Sequence, residues 1–238
     1  MTSDSAPPQA RAGTVRVTLV SAGISDPSST RLLGDRLVDR LTGSLAAGEG
    51  DVDTQVIELA PLAVDIAQAL VGGLHGDNLA TSIARLAQTD VLVVSTPVYK
   101  AGISGLLKSF VDVLDNDLLV GKPVLLASTA GSARHAMVAD DHLRPLFAFM
   151  RCVVAPTSVF AAPEDWADPA TSRRIERAAH ETAVLWRADT ERAISDSAWG
   201  SYQHQFGGQA TRSEQSGDDV DFDTALMRLA TGRRPRDV

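Results

Sequence analysis

Two short stretches of this chain, 91–95 (VLVVS) and 124–128 (VLLAS), are apolar at every position until a terminal serine. A strand with one wet face alternates apolar and polar residues; these do not alternate, so both of their faces must be covered. That requirement points to a parallel sheet held between two layers of helices. The rest of the chain agrees. Residues 15–20 (VRVTLV) form a short β-branched run bounded by SAG, and 52–59 (VDTQVIEL) reads as a second strand. Residues 153–160 read as a fifth. Between these runs apolar residues recur at helical spacing over 28–41, 62–70, 78–88, 104–116, 138–150 and 170–194. Strand and helix alternating five times give an α/β fold, a doubly wound five-stranded parallel sheet with helices on both faces. Such sheets bind ligands beyond the carboxyl ends of their strands, where the strand order reverses.

Composition narrows the function. At 238 residues the chain suits one domain with appendages. A net charge of −8 argues against nucleic acid as a partner. The single Cys152 rules out an internal disulfide framework and fits a reducing cytoplasm. No apolar run reaches the roughly 18 residues of a membrane span, and residues 1–14 read as a disordered leader without a signal-peptide h-region. The main domain is expected over 15–195. Residues 196–238 form an extension in which a Gly-Gln-Ser-rich stretch precedes a short amphipathic helix at 222–232.

Three loops lie at the carboxyl ends of strands. In the first, Ser28, Ser29 and Thr30 stand where a helix begins. Their hydroxyls suit a phosphate at the helix N-terminus, or they simply cap the helix. Neither GxGxxG nor GxxxxGK[ST] is present, so the dinucleotide fingerprint and the P-loop are not supported. The second loop, expected to follow a strand ending at Ser95, holds Pro97 and then exposed backbone at 98–102. It suits the polar edge of a flat heteroaromatic ring, or it is a plain strand-to-helix turn. The third is STAGSARHA at 128–136, where Gly131 and Ser132 permit close approach and His135 is either a donor or a solvated helix-start residue. Lys100 is a solvated turn charge or a steering charge for nucleotide phosphates. Lys108 and Asp112, four apart, are expected to pair. Cys152, Trp166, Trp186 and Trp199 read as packing residues, and no metal-ligand set is evident.

Together, Ser28-Ser29-Thr30, TPVYKAGISGLLKSFVD (96–112), TAGSARH (129–135) and HLRPLFAFM (142–150) resemble the NAD(P)H-dependent FMN reductases of the flavodoxin-like fold. The branch resembled is the one that supplies reduced FMN to two-component monooxygenases, and the resemblance covers about residues 15–190. It implies FMN at the strand ends, with its phosphate on Ser21, Ser28, Ser29 and Thr30. The isoalloxazine would lie against Thr96, Pro97, Val98, Tyr99 and Lys100, and its pyrimidine edge would meet Ala130, Gly131, Ser132 and His135. It implies NADPH or NADH as hydride donor, a homo-dimer or tetramer, and a flavin-dependent monooxygenase as partner. Hydride transfer between two cofactors needs alignment and backbone donors rather than a side-chain acid or base, so no catalytic side chain is expected. The competing readings are a flavin-dependent quinone, azo or metal reductase on the same fold, and a flavodoxin-like electron carrier. Against the carrier, the first loop lacks a TxTGxT pattern.

Overall fold

A computed structural model describes residues 14–47 and 51–195. Residues 1–13 of the leader expected at 1–14, and the whole extension expected at 196–238 with its helix at 222–232 and Trp199, lie outside the described residues.

The central strand is β3 (Val91–Tyr99), flanked by β1 (Val15–Ser21) and by β5 (Pro123–Thr129), with β2 (Val52–Glu58) beyond β1. All four run parallel. On the far side of β5 the expected single strand over 153–160 is split. β6 (Val153–Val154) pairs with Pro123 and Val124, and β7 (Val159–Ala161) pairs with Ala127, Ser128 and Thr129. Pro156 cannot donate to a ladder, so the strand leaves the sheet there. Side chains satisfy the backbone it frees. Arg144 donates to the carbonyls of Ala155 and Pro156, both at 3.0 Å, and Glu181 accepts from the Thr157 N–H at 2.8 Å. A two-residue strand, β4 (Gly102–Ile103), turns back antiparallel on β3. The sheet therefore has seven strands rather than five, six of them in five parallel lanes and β4 antiparallel on β3, and the order β2-β1-β3-β5-β6 places the switch point between β1 and β3.

The continuously apolar runs are covered on both faces. α1 (Ser29–Ala46) lays Leu33, Leu37, Leu41 and Leu45 on one face beside α6 (Pro169–Arg187), which contributes Ile175, Ala179, Ala183 and Trp186. The other face carries α2 (Ala63–Gly72), α3 (Asp77–Ala87), α4 (Gly105–Asp112) and α5 (Arg144–Phe149) through Ile66, Leu79, Leu86, Leu107, Phe110 and Phe147. Successive residues of β5 divide between the layers: Val124 and Leu126 face the α4 side, Leu125 and Ala127 the α1 side.

Two expected helices are interrupted. The one over 138–150 opens as a wide π-turn, Ala139–Leu143, before α5. Pro145 has no N–H to return to the carbonyl four residues earlier, which permits the wider turn. The one over 170–194 breaks at Asp189, whose φ of 53° is left-handed, and resumes as α7 (Thr190–Ile194). α7 closes over Gly121 at the amino end of β5. A Cβ on Gly121 would stand 2.9 Å from Glu191 Cα, and its φ is +72°. Beside it Lys122, 2% exposed, donates to the Thr89 carbonyl and reaches Glu191 Oε1 at 3.1 Å. Thr89 is bonded in turn to Thr18, and Thr18 accepts from Gln55 at 2.8 Å. A polar seam thus crosses four of the sheet's lanes at the end opposite the three loops.

Candidate active site

The first loop is rooted where β1 ends, by the Ala22 N–H donating to the Ser95 carbonyl at 2.9 Å. It folds tightly onto the start of α1: a Cβ on Gly23 would lie 2.1 Å from Ser28 Oγ and 3.2 Å from Thr30 Cβ. A side chain at this position would displace the Ser28 hydroxyl that caps α1. The three hydroxyls then part ways. Ser28 caps α1, its Oγ accepting the Arg31 N–H at 3.1 Å. Ser29 is exposed. Thr30 is buried, its hydroxyl 2.7 Å from that of Thr129 and its carbonyl accepting Ser95 Oγ at 2.8 Å. Ser21 is also buried, and its carbonyl accepts the Leu59 N–H. The N–H groups of Ser29 and Thr30, in the first turn of α1, have no acceptor among the described residues. Arg31 is committed elsewhere: its hydrogen bond to Asp35, with a second to Glu58, holds the guanidinium charged.

The second loop differs from the sequence expectation. β3 does not end at Ser95 but runs to Tyr99, and Pro97 sits inside it, paired with Thr129. Proline is tolerated there because β1 pairs only as far as Ser95. Residue 97 faces the same side as Ser95, where no strand remains to receive an N–H. The turn comes later, at Lys100 (φ 50°) and Ala101 (φ 62°), joining Tyr99 to Gly102. Two successive left-handed residues make a two-residue hairpin of the I′ kind, which Asn-Gly ordinarily occupies. The hairpin leaves Tyr99 and Lys100 exposed and Val98 half-buried. Thr96 is buried beneath, its hydroxyl accepting the Ser104 N–H at 3.2 Å, which ties the hairpin to the start of α4.

The third loop leaves β5 at Thr129. The Ala130 N–H donates to the Ala161 carbonyl at 3.2 Å. Gly131 and Ser132 are exposed, and their N–H groups have no acceptor among the described residues. A Cβ on Gly131 would meet nothing within 4 Å, so the chain itself does not demand glycine there. A single helical turn, Ala133–His135, follows, with Arg134 exposed and His135 half-buried.

The three loops thus share one end of the sheet, on adjacent lanes. The predicted residues divide by depth. Ser21, Thr30, Thr96 and Pro97 form a buried floor, while Ser29, Tyr99, Lys100, Gly131 and Ser132 are exposed; Ser28, Val98, Ala130 and His135 lie between. Sequence reasoning missed Gly23 and the supports Ser95, Thr129 and Ser104. Gly23 in SAG carried a signal, a lone glycine between a strand and a hydroxyl-rich helix start; the Thr30–Thr129 pair carried none, being 99 residues apart. Among the described residues no group of three or more His, Cys, Asp or Glu could hold a metal ion, and no helix is long and apolar enough to cross a membrane. Lys108 and Asp112 pair at 2.5 Å, and Arg36 lies over the Trp166 ring at 4.9 Å.

A five-lane parallel sheet in this order, with its loops gathered at the switch point, defines a flavodoxin-like α/β protein. The chain belongs to the NADPH-dependent FMN reductase family, whose model matches residues 15–167. An NADH-dependent FMN reductase, SfnF, from Pseudomonas fluorescens is 37% identical over 177 residues, covering 72% of this chain and 92% of that protein. An FMN reductase (NADPH) from Pseudomonas aeruginosa is 35% identical over 182 residues, covering 74% and 95%. Among solved structures, an oxidoreductase from Corynebacterium diphtheriae is 43% identical with a TM-score of 0.70, covering 72% of this chain and 96% of its own.

Proposed function

We propose that this protein is an NAD(P)H-dependent FMN reductase that supplies reduced FMN to a flavin-dependent monooxygenase. The observation that carries the reading is the first loop. A side chain at Gly23 would displace the Ser28 cap, and Gly23 lies against a helix start whose N–H groups at Ser29 and Thr30 lack acceptors among the described residues. That donor set fits a phosphate. Bound FMN supplies the hydride-accepting centre, with NADH or NADPH as donor. Ser29 and the first-turn N–H groups hold the phosphate; Ser28 and Thr30 fix the helix start that presents them. Val98 and Tyr99 offer apolar area, and the hairpin stands on Thr96 and Ser104. The N–H groups of Gly131 and Ser132 donate to the polar edge of the ring. Reaction then depends on alignment and on fixed donors, and no side chain moves a proton.

The flavin-binding unit is assigned to residues 15–195, apart from the extension at 196–238, and the protein to the cytoplasm. It is further assigned a homo-oligomeric state. In support, Val64, Val71 and Leu74 stand 67, 92 and 80% exposed on and just beyond α2. Anaerobic mixing of the FMN-loaded protein with NADPH tests the activity. Bleaching of the oxidised flavin band within one turnover supports the reading; an unchanged band with both NADPH and NADH contradicts it.

A further inference from the structure

The rim of this site carries two cations that form no ion pair among the described residues. Lys100 stands at the tip of the β3–β4 hairpin and Arg134 in the turn after β5; both are exposed. Neighbouring cations are committed: Arg31 to Asp35 and Glu58, Lys108 to Asp112, Arg144 to Asp140. The two loops are neighbours. β3 and β5 pair up to Pro97 and Thr129, and β4 packs against the turn Ala139–Leu143 that follows Arg134. In a chain of net charge −8, two cations without an ion pair on adjacent loops of one rim suit an anion. The hairpin tip is also strained. Lys100 and Ala101 both hold left-handed backbone without being glycine, which is the kind of outlier that marks a functional position.

Resting on the FMN-reductase reading, we propose that Arg134, assisted by Lys100, receives the adenosine 2′-phosphate of NADPH, so that this protein prefers NADPH to NADH. The flavin phosphate has its own donors in the first loop, two lanes from Arg134, so it does not use this pair. A guanidinium with no internal partner is free to grip a phosphate through two parallel N–H bonds, and an ammonium adds charge without geometry. NADH has no third phosphate to place there. Asp26 and Asp141 are exposed carboxylates of the neighbouring loops with no ion pair among the described residues, so the four groups carry no net charge and the phosphate is held by where Arg134 and Lys100 stand rather than by an excess of positive charge.

Calorimetric titration of the FMN-loaded protein with NADP+ and with NAD+ at low salt tests this. The expected result is tighter binding of NADP+ by about tenfold or more. Arg134→Ala abolishes that margin while moving NAD+ affinity by less than about twofold, and Arg134→Lys restores part of it. Raising the salt weakens NADP+ more than NAD+. Equal affinities in the wild type, or an Arg134→Ala variant in which both nucleotides weaken alike or neither changes, overturns the proposal. Failure of the FMN-loaded protein to bind either nucleotide is a different result: it removes the reductase reading itself, and this inference with it.

Discussion

Single side chains at the loops make separable contributions. Ser29 is exposed at the helix start whereas Thr30 is buried against Thr129, so their substitutions should differ in kind. Ser29→Ala is expected to weaken FMN binding by about tenfold or more, the worth of one donor to a charged group, with the melting temperature unmoved. Thr30→Val should instead lower stability by about 1–3 kcal/mol, because it strands the Thr129 hydroxyl in the core. Fluorescence titration of FMN and chemical denaturation on the same two variants separate these outcomes. Cys152 offers a pH signature. Burial pushes its thiol well above the ordinary range, and the charge of Lys122 opposes this only in part. The unfolded chain therefore loses this proton first. Its contribution to stability is intact below the unfolded thiol pKa of about 8.5 and declines as pH rises above it, by at most about 1.4 kcal/mol per pH unit. Cys152→Ala should flatten that alkaline decline; an unchanged slope would place its cause in another group.

At the scale of elements, the two ends of the sheet are built differently. The carboxyl end accepts a strained hairpin, and Ala101→Gly should relieve left-handed strain of about 1–2 kcal/mol, raising the denaturation midpoint. The opposite end is held by the buried Lys122–Glu191 pair, which pins α7 over Gly121. Glu191→Gln removes the charge from that pair and should lower stability in urea unfolding. These elements also show what sequence reading reaches. The strands 91–95 and 124–128 were legible as short, fully apolar runs between helical patterns, and the three loops followed from the rule that such sheets bind ligands at the carboxyl ends of their strands. The extension of β3 through Pro97 was not legible. Proline argues against a strand interior, and only the early end of β1 makes it harmless. The same limit hid the split of β6 and β7, since Arg144 and Glu181 satisfy the break from positions remote in sequence. Of the site, the residue types were readable, but which of Ser28, Ser29 and Thr30 faces outward depends on a close approach at Gly23 that pattern alone does not contain.

At the scale of the whole molecule, the described chain is a scaffold with its polar seam at one end and its unsatisfied backbone donors at the other. The three loops at that end combine exposed backbone N–H groups with buried hydroxyl supports. The exposed apolar residues around α2 lead to a second expectation at this scale: sedimentation at micromolar concentration should give a dimer or tetramer, and a monomer would remove the interface assigned there. The central claim is that the protein acts through FMN. Protein stripped of flavin should oxidise NADPH at a negligible rate, and addition of FMN should restore turnover in a saturable manner. NADPH oxidation by the stripped protein at the same rate without FMN as with it would contradict the account.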